Sequence, residues 1–92
     1  MMMAKENKYR LSFAILAKKD LKRLRKSEYW EKARKIFQIL ANNPFKEPPR
    51  YEVLRDNWRG YYSRRVNIQH RIVYKVTGNI VEVVSCWTHY HD

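Results

Sequence analysis

The spacing of apolar residues changes near residue 50, and this change limits the fold more than any other feature of the sequence. Before it, apolar residues recur every three or four positions, which is the period of an amphipathic helix with one buried face. After it, the segments 59–68, 70–76 and 79–87 are rich in Val, Ile and Tyr and have the composition and period of strands. The chain is therefore predicted to join a mainly helical first half to a sheet-forming second half.

Two helices are predicted in the first half, preceded by a short strand over residues 9–13. Ser12 is expected to cap the first helix, over residues 14–26, and Ser27 the second, which Pro44 ends because proline cannot continue a helix. The apolar stripes that should face the core are Ala17, Leu21 and Leu24 in the first helix and Tyr29, Ala33, Ile36 and Leu40 in the second.

The three later strands are predicted to form an antiparallel meander, with a tight turn at residues 77–79. The fold class is thus α+β, in the order strand–helix–helix–strand–strand–strand. A two-helix hairpin should pack on one face of a small, mostly antiparallel sheet. Residues 1–8 are expected to be a flexible lead-in, and residues 9–92 a single domain.

The chain is strongly basic, with 20 Lys and Arg against 9 Asp and Glu and a net charge of +11. Such a charge favours nucleic acid, an acidic protein or an anionic membrane face as a partner, although basic helix faces can also serve solubility alone. No apolar run approaches the roughly 18 residues of a membrane span. The single cysteine rules out an internal disulfide framework, which fits a cytoplasmic protein.

Alternation along the strands predicts a basic sheet surface that the helices do not cover. If the alternate apolar residues of 70–76 face the helices, Arg71 and Lys75 project from the opposite, open face. Arg64 and Arg65 are neighbours in a strand and point to opposite faces, so one of them should join this surface. An open basic sheet with aromatic residues suits RNA.

The sequence predicts neither a metal site nor a cofactor site. Two glycines cannot build a phosphate-binding glycine loop, and Cys86, His89 and His91 are too close together for a structural zinc site. Cys86, beside a tryptophan, is expected to be a buried strand residue rather than a nucleophile.

Glu52, Arg71 and His89 are the residue types that metal-free RNA cleavage requires: a base, a cation for the phosphate and an acid for the leaving oxygen. Each also has an ordinary alternative role. Glu52 could pair with a neighbouring arginine, Arg71 could be an exposed strand residue, and His89 could lie in an exposed tail.

Three stretches resemble a known family: "PF" at 44–45, "EVLRDNWRGYYSRRVNIQHRIVYKV" at 52–76 and "HY" at 89–90. They resemble the YoeB/Txe family of the RelE superfamily of bacterial toxins. The resemblance implies a RelE-like fold and an endoribonuclease, or mRNA interferase, of a toxin–antitoxin system. Such a toxin cleaves mRNA in the A site of the 70S ribosome, in contact with rRNA. An acidic cognate antitoxin neutralises it, so a homodimer or a toxin–antitoxin hetero-oligomer is expected.

The resemblance also implies roles for individual residues. The catalytic residues would be Glu52, Arg71, His89 and Tyr90, and RNA-binding residues would include Arg55 and Arg65, with Lys75 and Arg64 added by the strand pattern. Glu52 would accept the 2′-hydroxyl proton, Arg71 would neutralise the phosphorane and His89 would protonate the leaving 5′-oxygen, without metal. His91 and Asp92 have no family counterpart. Two other hypotheses are a non-catalytic basic RNA-binding module and an inactive homologue that only binds an antitoxin.

Overall fold

The computed structural model describes residues 8–87 of the chain and contains two helices and a five-stranded sheet. The sheet order is β1-β5-β4-β3-β2, with β1 parallel to β5 and every other pair antiparallel. The elements are β1 (Arg10–Phe13), α1 (Ile15–Arg25), α2 (Trp30–Asn42), β2 (Tyr51–Val53), a 3-10 turn (Asp56–Trp58), β3 (Tyr62–Arg65), β4 (Arg71–Thr77) and β5 (Ile80–Ser85). The predicted α+β class and the antiparallel meander of the last three strands are confirmed.

The apolar stripes of both helices form the core with one face of the sheet. Leu24 of α1 and Leu40 of α2 are fully buried, as are Ile72 and Tyr74 of β4. Burial of apolar area contributes roughly 25 cal/mol per Å², so this single layer supplies most of the stabilisation available to so small a domain. The predicted direction of the strand faces is therefore confirmed.

Both predicted serine caps were misplaced. Ser12 lies inside β1, where it pairs with Glu82, and Ala14 occupies the N-cap position of α1 without a side-chain hydrogen bond. Ser27 lies in the turn between the helices, where its hydroxyl donates to the Leu24 carbonyl oxygen (2.8 Å) and accepts from the Tyr29 amide (3.1 Å). It thus stabilises the turn rather than the first residue of α2.

The sequence pattern did not predict β2. This strand has only three residues, follows a proline-containing loop and pairs with β3 alone at the edge of the sheet. The turn between β4 and β5 lies where it was expected, and Gly78 adopts a positive φ of 59° there, a conformation that glycine tolerates without a side-chain clash. Within residues 8–87, no helix is both long and apolar enough to cross a membrane.

Candidate active site

The open face of the sheet brings Glu52 and Arg71 into contact. Glu52 of β2 is the register partner of Ser63 in β3, and Ser63 pairs in turn with Val73 of β4, two residues from Arg71. Because cross-strand partners point to the same face, all four side chains share the face opposite the helices. The Nη1 of Arg71 donates to Glu52 Oε1 and to Ser63 Oγ, the latter at 3.0 Å. A carboxylate, a guanidinium and a hydroxyl therefore meet at one point.

This ion pair is partly withdrawn from water but remains accessible. The side chain of Arg71 is 18% exposed and that of Glu52 is 41% exposed. Partial burial lowers the local dielectric constant and strengthens interactions with a charged ligand, while the exposed part of Glu52 leaves room for a ligand to approach. The arrangement can bind an anion at Arg71 and hold a carboxylate beside it.

Other basic residues lie on β3, on β4 and in the turn after β2. Arg65 is the direct register partner of Arg71 and is exposed, so two arginine side chains leave directly opposite positions on neighbouring strands. Like charges in this position repel, and a bound anion would relieve that repulsion. Lys75 lies on the same face, with its Nζ 3.6 Å from a Glu82 carboxylate oxygen and 5.7 Å from the centre of the Tyr61 ring. Arg55 is exposed in the turn after β2.

Arg64 does not belong to this surface, and its prediction as an RNA-binding residue is corrected. It is 1% exposed and points to the side of the helices, where its guanidinium donates to three main-chain carbonyl oxygens and to the Tyr74 hydroxyl. A buried guanidinium whose donors are already directed to protein oxygens is not available to a phosphate. Of the two neighbouring arginines, Arg65 is the one on the open face.

A groove of about 500 Å³ adjoins the ion pair at the edge of the sheet. It lies between α2 and the segment that leads into β2, and we call it the α2 groove. Apolar side chains and basic side chains both line it, and Glu52 contributes to the lining. The lining residues are Lys32, Lys35, Ile36, Ile39, Pro49, Arg50, Glu52 and Arg65.

Sequence reasoning missed Ser63 as a member of the site. The alternation in residues 62–65 already placed Ser63 on the face of Arg65, and a hydroxyl there could have been matched to a guanidinium in the next strand. The predicted catalytic residues His89 and Tyr90 lie outside the described residues. Within residues 8–87, no group of three His, Cys, Asp or Glu side chains could hold a metal ion.

Cys86 is buried, as predicted, although it lies just after β5 rather than within it. Its amide donates to Asp20 Oδ2 at 3.0 Å and its thiol donates to the Ala17 carbonyl oxygen at 3.6 Å, which attaches the end of the sheet to α1. Burial, followed by the Asp20 carboxylate, raises the pKa of the Cys86 thiol to about 12. The thiolate that acts as a nucleophile is therefore scarce.

Cys86 should consequently resist alkylation in the folded protein. At pH 8 we expect iodoacetamide to modify it at least about 10²-fold more slowly than in the urea-unfolded chain, because both access and thiolate formation are suppressed. The raised pKa also means that the thiol stabilises the fold below its unfolded pKa and that this contribution is lost as the pH rises toward about 12. Mass spectrometry of timed samples measures the rate, and equal rates in the two states would contradict the buried position.

Comparisons with known proteins identify the family of this chain. A family model described as the YoeB-like toxin of bacterial type II toxin–antitoxin systems matches residues 13–90. Toxin YoeB of Synechocystis is 36% identical over 55 residues, an alignment that covers 60% of this chain and 64% of that protein. Toxin YoeB of Escherichia coli CFT073 is 33% identical over 70 residues, covering 67% of this chain and 83% of the relative.

Solved structures agree with the sequence comparisons. YoeB of Staphylococcus aureus, in its complex with YefM, superposes with a TM-score of 0.77 at 30% identity, over 89% of this chain and 98% of that one. The same toxin solved as a dimer gives a TM-score of 0.77 at 30% identity, and the match covers 90% of this chain and 99% of that one. The fold is thus that of a small bacterial toxin of the RelE superfamily. Within that class, the chain belongs to the YoeB-like toxin family of type II toxin–antitoxin systems.

Proposed function

We propose that the chain is an endoribonuclease that cleaves mRNA in the A site of the 70S ribosome, by attack of the 2′-hydroxyl on the adjacent phosphate. The observation that carries this proposal is the contact between Glu52 and Arg71, which lie on different strands and meet on an open, basic sheet face. A base and a phosphate-binding cation in contact are the two groups that this reaction needs on the nucleophile side. Family membership supports the proposal because it is a toxin family.

In the proposed mechanism the phosphate accepts hydrogen bonds from some of the Arg71 N–H groups, and Glu52 is partly released from its contact with Arg71. The planar guanidinium suits this exchange, since it can donate to a phosphate oxygen and a carboxylate from different N–H groups. Glu52 then accepts the 2′-hydroxyl proton while the 2′-oxygen bonds to phosphorus. The bond from phosphorus to the 5′-oxygen breaks, and that oxygen takes a proton from His89. The products are a 2′,3′-cyclic phosphate and a 5′-hydroxyl.

Two roles in this scheme rest on the sequence and not on a described contact. His89 as the proton donor and Tyr90 as a further catalytic residue are assigned from the terminal "HY". The acid at the 5′-oxygen is nonetheless required by the chemistry, because an alkoxide is a poor leaving group. Neither proton transfer needs a metal ion.

The neighbouring cations are proposed to hold the RNA backbone. Arg65 stands opposite Arg71, and Lys75 and Arg55 flank the same region. Each phosphate contact releases a counterion, so binding of mRNA and of rRNA should weaken as the salt concentration rises. Such a nuclease would act in the cytoplasm, where ribosomes translate mRNA.

We further infer that an acidic antitoxin neutralises this toxin. The α2 groove combines Lys32 and Lys35 with Ile36 and Ile39, a pairing of cations with apolar side chains that suits an acidic peptide carrying apolar residues. The S. aureus relative has been solved with YefM and also as a dimer. By analogy, a toxin–antitoxin hetero-oligomer or a homodimer is proposed as the assembly of this chain.

The deciding experiment is primer extension on mRNA after brief expression in a bacterial host. The unaltered chain should create new 5′-hydroxyl ends inside translated codons, and His89→Gln should leave the mRNA intact. Co-expression of a short acidic reading frame encoded beside the toxin gene should suppress both cleavage and growth arrest. RNA binding without new ends would favour a non-catalytic RNA-binding module, whereas tight antitoxin binding without any cleavage would favour an inactive homologue. Either outcome would overturn the proposed function.

A further inference from the structure

We propose that Arg64 is a positioning residue for Glu52, acting from the opposite side of the sheet. The inference rests on the proposed function, in which Glu52 is the base. Arg64 does not touch the reacting groups. It fixes the segment that carries Glu52 into the sheet, and three sets of contacts support this role.

The first set joins Arg64 to the loop between α2 and β2. Its Nη2 donates to the carbonyl oxygens of Pro44 and Lys46, each at 2.8 Å, and its Nη1 donates to that of Pro49 at 2.6 Å. One guanidinium thus connects three carbonyl groups across six residues of a loop without regular secondary structure. All three bonds are at least partly shielded from water, where the loss of a hydrogen-bond partner is costly.

The second set ties the same guanidinium to the core. Its Nε donates to the Tyr74 hydroxyl at 3.3 Å, and that hydroxyl donates to the Pro44 carbonyl oxygen at 2.8 Å. Burial raises the pKa of Tyr74 to about 12, so the phenol stays protonated and can donate at any physiological pH. The loop, β3 and β4 are therefore joined by one hydrogen-bonded network.

The third set concerns β2 itself. Arg64 is the register partner of Tyr51, and its guanidinium carbon lies 5.3 Å from the centre of the Tyr51 ring. Glu52 is the next residue. With three residues and one neighbouring strand, β2 is too short to be stable from its ladder alone. Attachment of the loop at Pro49, just before the strand, gives β2 a second fixed point and so limits where the Glu52 carboxylate can move.

Lysine cannot replace arginine in this position. An ammonium group concentrates its three donors at one point, whereas the acceptors of Arg64 surround a planar fork. Arg64→Lys should therefore keep the charge but release part of the loop. Because a displacement of about 1 Å can cost about 10²-fold in rate, we expect single-turnover mRNA cleavage on ribosomes to slow by about that factor, with little change in KM.

The test compares Arg64→Lys with Arg34→Lys, an exposed arginine of α2 paired with Glu31. Hydrogen exchange of the full-length toxin reports where the fold loosens. In Arg64→Lys we expect the amides of residues 44–54 to lose protection from exchange, while the amides of β4 and β5 stay protected. Arg34→Lys should exchange like the unaltered chain. The fall in cleavage rate, with little change in KM, should likewise appear in Arg64→Lys only.

These readouts separate a positioning role from general support of the fold. Loss of protection spread evenly over β4 and β5 would show that Arg64 merely stabilises the domain and would overturn the inference. Unchanged exchange at residues 44–54 would overturn it as well. If the unaltered chain cleaves no mRNA, the proposed function fails, but the hydrogen-exchange result still decides whether Arg64 fixes the segment that carries Glu52.

Discussion

Replacing Arg71 with alanine should lower the rate of mRNA cleavage by about 10²–10³-fold, the usual cost of removing one group that stabilises developing negative charge. Arg71 is the guanidinium that contacts Glu52 and Ser63 at the centre of the open face. Without it, the negative charge of the phosphorane would be left to the surrounding cations, such as Arg65. Glu52→Gln should cost about 10²–10⁴-fold, because an amide cannot accept the 2′-hydroxyl proton.

The two substitutions should not be additive, because the side chains are in contact and serve one step. Arg71→Lys, which keeps the charge without the planar fork, is the matched control and should retain more activity than Arg71→Ala. Rates are measured by single-turnover cleavage of ribosome-bound mRNA, with thermal unfolding to show that the fold is intact. An Arg71→Ala toxin that cleaves as fast as the unaltered chain would remove Arg71 from the mechanism.

Leu40→Ala should destabilise the domain by about 2–5 kcal/mol, the range found when a buried leucine is truncated and a cavity remains. Leu40 of α2 is fully buried in the core beneath the sheet. Domains of this size commonly have a free energy of unfolding of only about 5–15 kcal/mol, so the loss is a large fraction of the total. A sizeable unfolded population at 37 °C is therefore expected.

Leu16→Ala is the natural control for this substitution. Leu16 of α1 is 58% exposed, so the same change of side chain removes little buried surface there. We expect its effect to stay within about 0.5 kcal/mol, the usual range for surface substitutions. Urea unfolding followed by circular dichroism gives both free energies, and similar losses for the two variants would mean that α2 does not pack as described.

The elements set by local pattern could be predicted from the sequence. The helical stripes end at Leu24 and Leu40, and the alternation around Ile72 marks the buried face of β4, so the layers followed from periodicity. The edge strand β2 could not be predicted from the sequence, because three residues show no detectable period and the pairing of β2 with β3 is a tertiary contact. Glu52 was chosen by chemistry and resemblance, and only the fold placed it against Arg71.

The sequence alone could not predict which of the two neighbouring arginines is buried. Alternation required Arg64 and Arg65 to face opposite ways, but not which of them faces the helices. That choice depends on carbonyl oxygens of residues 44–49, which reach the strand only in the folded chain. A charged residue is usually expected at the surface, so burial of Arg64 opposes the average preference and reflects these particular acceptors.

The parallel pairing of β1 with β5 has a consequence for how the chain acquires its structure. Arg10 pairs with Ile80, so β1 can pair with β5 only after the ribosome has synthesised all the residues between them. Contacts so distant in sequence slow folding, because a long loop must close before they form. A nascent chain that lacks β5 has β1 unpaired and α1 without the strand that it contacts most. Shortened products should therefore stay unfolded and harmless, and the toxin should become active in one late, cooperative step.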